Sequence, residues 1–121
     1  MMVEDDKFML DLVVKEFNLH GCIVLKASTG EEAMKLLEEE RPALIMLDIL
    51  LPGMNGFEVL QKIKEHPTLK DIPVVILSNM QSKEDVEKSK QLGALKYFVK
   101  AMITPRQILD EVTTILNSHK A

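Results

Sequence analysis

Four short apolar runs, separated by stretches with helical spacing, do most to limit the folds open to this chain. Ile23-Val24-Leu25, Ala43-Leu44-Ile45-Met46-Leu47, Val74-Val75-Ile76-Leu77 and Leu95-Lys96-Tyr97-Phe98-Val99 read as strands, and three of the four are nearly all apolar. Strands of that kind are buried on both faces, as in parallel sheets covered by helices on each side. Between them, apolar residues recur at helical spacing: Ala33, Leu36 and Leu37; Val59, Leu60 and Ile63; Ile108, Val112, Ile115 and Leu116. Parallel neighbours need right-handed crossovers, so the pattern predicts an α/β fold with an open, doubly wound sheet and helices on both faces.

Helix starts are marked by a side-chain acceptor followed three residues on by Glu, Gln or Asp. Thr29 with Glu32, Asn55 with Glu58, Ser82 with Asp85, and Thr104 with Gln107 all fit. Pro105 falls at the first helical position of a last helix expected to end near Asn117, where a missing N–H costs nothing. Asp6 is expected to cap the helix from Lys7 rather than ligate a metal. Turn signals at Pro52-Gly53 and Gly93-Ala94 separate elements, without a low-complexity linker or internal repeat. The 121 residues fit one domain, assigned to 1–121.

Composition removes several classes of function. A formal charge of −4 gives no basic footprint for direct nucleic-acid binding. No run approaches the roughly 20 apolar residues of a membrane span, and the acidic start Glu4-Asp5-Asp6 lacks a secretory pattern, so a cytoplasmic protein with no membrane role is expected. The single cysteine, Cys22, is expected to be a buried strand thiol. His20, His66 and His119 show no metal spacing and are expected at the surface.

In a doubly wound sheet, ligands collect beyond the carboxyl ends of the strands. Glu4-Asp5-Asp6 follows Met1-Met2-Val3, Asp48 follows Leu47, Ser78 follows Leu77 and Lys100 follows Val99. Parallel strands would bring these groups to one rim. Crowded carboxylates repel unless a cation sits among them, and Mg2+ suits a site of a few carboxylates plus phosphate oxygens. Lys100 can neutralise a phosphoryl oxygen and Ser78 can donate to another, leaving Asp48 as nucleophile. Singly, each is commonplace: a strand-end Asp is usually a turn residue, and a Lys or Ser there is usually just solvated.

Together, Val3-Glu4-Asp5-Asp6, the stretch Leu47-Asp48-Ile49-Leu50-Leu51-Pro52-Gly53-Met54-Asn55-Gly56, Val75-Ile76-Leu77-Ser78, and Gly93-Ala94-Leu95-Lys96-Tyr97-Phe98-Val99-Lys100 resemble the CheY-like response-regulator receiver family over almost the whole chain. The resemblance implies a three-layer, five-stranded parallel sheet of order 2-1-3-4-5. It implies Asp48 as phosphoacceptor and Glu4 and Asp5 as the acid pair, Asp5 being the more direct Mg2+ ligand. Asp48 and the Leu50 backbone carbonyl would complete the protein's share of the metal shell. Ser78 would be the hydroxyl switch residue, Lys100 the phosphoryl-binding lysine and Tyr97 the rotameric aromatic. A sensor histidine kinase or phosphotransfer protein would donate, and the face formed by the fourth helix, fifth strand and fifth helix would signal to a downstream protein. The fourth helix offers only Val86 and Leu92 as sizeable anchors, which suits mobility there. Such a chain is a switch, not a metabolic enzyme, and acts on itself only in gaining and losing the phosphoryl group.

The sequence departs from the family in two places. Only Met1, Met2 and Val3 precede the acid pair, so the first strand is expected to be truncated at a cost of roughly 3–6 kcal/mol. An earlier start, a trimmed sequence or strand exchange in a dimer would compensate. Ala101 stands where the family commonly has Pro, and a cis bond before Ala would cost about 2.5–4 kcal/mol, so trans is expected. The first alternative is a phosphorylation-independent pseudo-receiver that binds proteins. An enzyme with the same topology is the second, but no P-loop, dinucleotide or zincin motif is present, and Leu50 replaces the second Asp of an Asp-x-Asp phosphatase.

Overall fold

Strands form in this chain where a segment finds a parallel partner in register, and for most of them that segment is an apolar run. In the computed structural model, which describes residues 1–118, β1 (Met2–Val3) lies between β2 (Lys26–Ala27) and β3 (Ile45–Leu47), with β4 (Val74–Ser78) and β5 (Lys96–Val99) beyond. The order is β2-β1-β3-β4-β5 and every pairing is parallel. Five α-helices connect and follow the strands: α1 (Lys7–Leu19), α2 (Gly30–Leu36), α3 (Gly56–Glu65), α4 (Lys83–Gln91) and α5 (Pro105–Ser118). His119 and the end of the expected 1–121 span lie outside the described residues.

Alternation along the buried strands sorts side chains onto two apolar layers. Val3, Ile45, Leu47, Val74 and Ile76 pack with Ala33, Val59, Leu60 and Ile63 of α2 and α3. Met2, Met46, Val75 and Leu77 pack with Val13 and Phe17 of α1 and with Ile108, Val112 and Ile115 of α5. The sheet therefore separates two cores, the three-layer arrangement expected of strands apolar on both faces.

The caps act as the sequence predicts. Thr29, Asn55 and Ser82 side chains accept the N–H groups of Glu32, Glu58 and Asp85. Thr104 and Gln107 exchange bonds reciprocally, at 3.2 and 2.9 Å. Asp6 accepts from Phe8 and Met9 at the start of α1, so its side chain is occupied as a cap.

The run Ile23-Val24-Leu25 is a correction: it is not a strand, and Ile23 is 91% exposed. Register explains the shift. Met2 pairs with Lys26 and Val3 with Ala27, so the ladder falls on residues 26–27 rather than on the more apolar residues before them. Cys22 is also not a buried strand thiol; it is half-buried outside the ladder and packs against the α1/α5 layer.

The first strand is short, as expected, with two paired residues, yet Met1, Met2 and Val3 are all buried. The Met1 ammonium donates to the Leu44 carbonyl at 2.9 Å, and burial lowers its pKa to about 6. Beneath it lies a cavity of about 160 Å³ lined by Phe17, Val24, Leu44, Met46 and Leu116 among others. In α4, Ser89 is the one fully buried residue and its hydroxyl donates to the Val86 carbonyl, whereas α5 buries Ile108, Leu109, Val112 and Ile115. The fourth helix is thus thinly anchored, as its sequence suggests.

Candidate functional site

Because all five strands run one way, their carboxyl ends share a rim. Glu4 and Asp5 follow β1, Asp48 follows β3, Ser78 ends β4 and Lys100 follows β5. Lys100 crosses the space between the acids: its Nζ is 2.5 Å from Asp48 Oδ2 and 2.6 Å from Glu4 Oε1. The side chains of Glu4 and Asp48 are 1% and 4% exposed, so the ammonium is the counter-charge that makes their burial tolerable.

Local backbone fixes the acids further. Asp48 Oδ1 accepts the N–H groups of Ile49 at 2.7 Å and Leu50 at 3.3 Å, leaving Oδ2 to Lys100. Glu4 Oε2 accepts the Asp6 N–H at 3.1 Å. Glu4 Oε1 is buried and faces the Lys100 ammonium. Asp5 is exposed at the mouth, and one carboxylate oxygen each from Glu4, Asp5 and Asp48 lies within 4.8 Å of the others. Leu50 sits in the loop after β3 with its side chain turned to solvent.

Ser78 is fully buried, and its Oγ accepts the Met80 N–H at 3.2 Å. Tyr97 is half-buried and its hydroxyl donates to the Met80 carbonyl at 2.5 Å. Burial holds the Tyr97 phenol above its ordinary pKa; the Ser78 hydroxyl acts against this, and the Asp85 and Asp48 charges add to it. Both residues therefore meet at the segment 78–80. No peptide bond among the described residues is cis, so Lys100–Ala101 is trans, as expected for Ala.

Burial raises the Glu4 pKa to about 7; Lys100 offsets part of that, and the Asp48 charge adds to it. Burial works to lower the Lys100 pKa, but bonds to Asp48 and Glu4 outweigh it and hold the ammonium above its usual value. Three carboxylates with oxygens within 4.8 Å of one another, two of them sharing the single Lys100 ammonium, suit a hard divalent cation, which takes carboxylate oxygens as ligands.

The Glu4 shift sets a pH dependence. Its folded pKa lies above the unfolded value of 4.5, so the folded chain holds the extra proton between these values. The stability this gives is complete below 4.5 and is lost as pH rises through about 7. Lys100→Ala removes the cation that opposes this shift. The variant is expected to lose about 2–3 kcal/mol at about pH 8, the lower end for a broken buried pair because the mouth is open to water. Acidification to about pH 5, or added Mg2+, should restore most of that loss. Urea melts at both pH values settle the matter, and equal stability of variant and parent near pH 8 would refute it.

Two residues that hold this site carry no motif signal. Glu31, at the start of α2, accepts the Met54 N–H at 2.8 Å and so grips the loop after Asp48 from 23 residues away. That bond lowers the Glu31 pKa. Asn79 Oδ1 accepts the Ala101 N–H at 2.9 Å. Only its position next to Ser78 hints at a role.

With this geometry in place, the comparisons are specific. The chain matches the response regulator receiver domain model over residues 1–113 and belongs to that family. It is 33% identical over 101 residues to sporulation initiation phosphotransferase F of Bacillus subtilis, covering 83% of this chain and 80% of that protein. A CheY-like receiver from Methanospirillum hungatei superposes with a TM-score of 0.89 at 28% identity, over 97% of this chain and 91% of the other. The Mn(2+)-bound form of response regulator Rcp1 gives 0.79 at 31% identity, over 97% and 87%. Receiver domains are phosphorelay signalling modules rather than metabolic enzymes; they interact with histidine kinases or phosphotransfer proteins and bind Mg2+ at an acidic pocket. Among the described residues no helix is long and apolar enough to cross a membrane.

Proposed function

We propose that this chain, read as one receiver over residues 1–121, accepts a phosphoryl group on Asp48 from a sensor histidine kinase or phosphotransfer protein in the cytoplasm. The observation that carries this reading is the Asp48 carboxylate itself, with Oδ1 fixed by two backbone N–H groups and Oδ2 held by Lys100 beside the Glu4/Asp5 pair. Glu4, Asp5, Asp48 and the Leu50 carbonyl would hold Mg2+, which when bound supplies positive charge for the phosphoryl oxygens.

An Asp48 oxygen attacks phosphorus, and the bond from phosphorus to the donor's leaving atom breaks with its electron pair staying on the donor. The product is an acyl phosphate. Lys100, already beside Asp48, shifts to a phosphoryl oxygen and keeps the added charge of about −1.5 to −2 compensated. The Ser78 hydroxyl then exchanges its Met80 contact for the phosphoryl group, and that displacement reaches Tyr97 through the shared Met80. The α4–β5–α5 face changes as a population shift between two states. The test is intact mass after incubation with Mg2+ and acetyl phosphate. Gain of one phosphoryl mass, labile to hydroxylamine as an acyl phosphate is, supports the reading; no gain leaves a phosphorylation-independent binding module.

A donor protein needs a place to sit, and the rim offers one. Phe8, Leu50 and Met102 are 75%, 62% and 76% exposed, and each lies two or three residues along the chain from Asp5, Asp48 or Lys100. Truncating an aromatic anchor at an interface costs about 1–2 kcal/mol or more. Phe8→Ala is therefore expected to slow transfer from a phosphorylated histidine phosphotransfer protein about tenfold while leaving uptake from acetyl phosphate unchanged. Equal slowing with both donors would show that Phe8 acts on the site and not on docking.

A further inference from the structure

Lys100 itself opens a single 3-10 turn, Lys100–Met102, with little of its own to hold it. No side chain caps the turn at Val99, and the bond that closes it, from the Ile103 N–H to the Lys100 carbonyl, is 3.5 Å long. The first N–H groups of any such turn have no internal partner. Here the Ala101 N–H finds an external one in Asn79 Oδ1, at 2.9 Å. Asn79 follows Ser78 and Ala101 follows Lys100, while Ser78 and Val99 are paired in the β4–β5 ladder. The bond therefore continues the link between the two strands just past the point where the ladder stops.

We propose that Asn79 is a positioning residue for Lys100, acting through the Ala101 N–H to hold the turn from which the lysine reaches the acid pocket. The inference rests on the phosphoacceptor reading of Asp48 for its kinetic consequence, though not for its structural one. Lys100 has a flexible stem, and at present Asp48 and Glu4 fix its ammonium. Once an incoming phosphoryl group draws the ammonium off these acids, only the backbone decides how far it can swing. A proline at position 101 would have no N–H to give, so the bond exists because this chain has Ala there.

Asn79 is exposed, so Asn79→Ala is expected to fold normally. With acetyl phosphate it should slow phosphoryl uptake about three- to tenfold, the weight of one hydrogen bond, with much of the change in KM because Lys100 meets the incoming phosphoryl oxygens. Mg2+ affinity by calorimetry should change less than about twofold, since Asn79 touches none of the acids. Ala101→Pro removes the donor instead of the acceptor and should act in the same direction. The double variant should match the slower single variant, as expected when both changes delete one interaction. Hydrogen exchange gives a readout independent of chemistry: the Ala101 and Ile103 amides should be protected in the parent and lose protection in Asn79→Ala. Parental uptake rates in Asn79→Ala, multiplied effects in the double variant, or unchanged Ile103 protection would each overturn the proposal. A parent chain that takes no phosphoryl group at all would defeat the phosphoacceptor reading instead, and exchange at Ile103 would still decide whether Asn79 holds the turn.

Discussion

Asp48→Asn is expected to abolish phosphoryl uptake from acetyl phosphate while leaving the chain folded and, without Mg2+, slightly more stable. The substitution keeps the shape of the side chain and an oxygen able to accept from the Ile49 and Leu50 N–H groups, so the loop keeps its anchor. What it removes is the carboxylate proposed as the nucleophile, and an amide oxygen cannot replace it. It also removes one of the two buried acids that share the Lys100 ammonium. The amide NH2 that replaces Oδ2 cannot accept from Lys100, so the ammonium turns wholly to Glu4, now without the Asp48 charge that pushes the Glu4 pKa upward. Exchanging an over-acidic cluster for a one-to-one buried pair should gain about 1 kcal/mol, or a few degrees in Tm. The stabilisation conferred by Mg2+ should shrink, because one of the proposed carboxylate ligands has gone. Intact mass and thermal melts with and without Mg2+ check all three points. A full phosphoryl gain in Asp48→Asn would move the acceptor to another residue, and a clear fall in stability would mean that the Asp48–Lys100 pair outweighs the acid repulsion.

What the sequence discloses about this site follows from how each group is placed. Glu4, Asp48, Ser78 and Lys100 are legible because strand ends are legible: an apolar run stops, a polar residue follows, and parallel strands bring the ends together. The helix caps are legible for a similar reason, since Thr29, Asn55, Ser82 and Thr104 each act on a backbone N–H three residues away. Strand β2 is not, because hydrophobicity favours Ile23-Val24-Leu25 while pairing is decided by the register of Met2 and Val3, a long-range fact. Glu31 and Asn79 escape for the same reason. Their partners Met54 and Ala101 lie 23 and 22 residues away, and no local pattern marks a side chain that holds another segment's backbone. The bridge from Lys100 to both acids is partly legible: the charges predict attraction, but only coordinates show one ammonium shared between Glu4 and Asp48.

The other large effect is expected at Gly56, where local propensity and packing predict opposite signs. Gly56 is the first residue of α3, and φ there is not positive, so Ala would meet no backbone strain. On helix propensity alone Gly56→Ala should gain up to about 1 kcal/mol. Packing forbids it. A Cβ at Gly56 would lie 2.1 Å from the Asp48 carbonyl oxygen and 2.6 Å from the Ile49 Cα, both backbone atoms that no rotamer change can move aside. The Gly56 N–H also donates to the Ile49 carbonyl at 2.8 Å, tying the start of α3 directly under the Asp48 loop. Relief would need that loop to shift as a body, against Ile49, which is buried in the core, and against the Glu31 grip on Met54. The expected cost is about 3 kcal/mol or more, at the high end for overpacking because the clash is with main chain. Phosphoryl uptake should fall with it, since the same shift carries the Asp48 carboxylate away from Lys100. Urea denaturation of Gly56→Ala measures the first effect and acetyl phosphate labelling the second. A variant as stable as the parent would mean that propensity has won and that the loop after β3 is far more yielding than its contacts indicate.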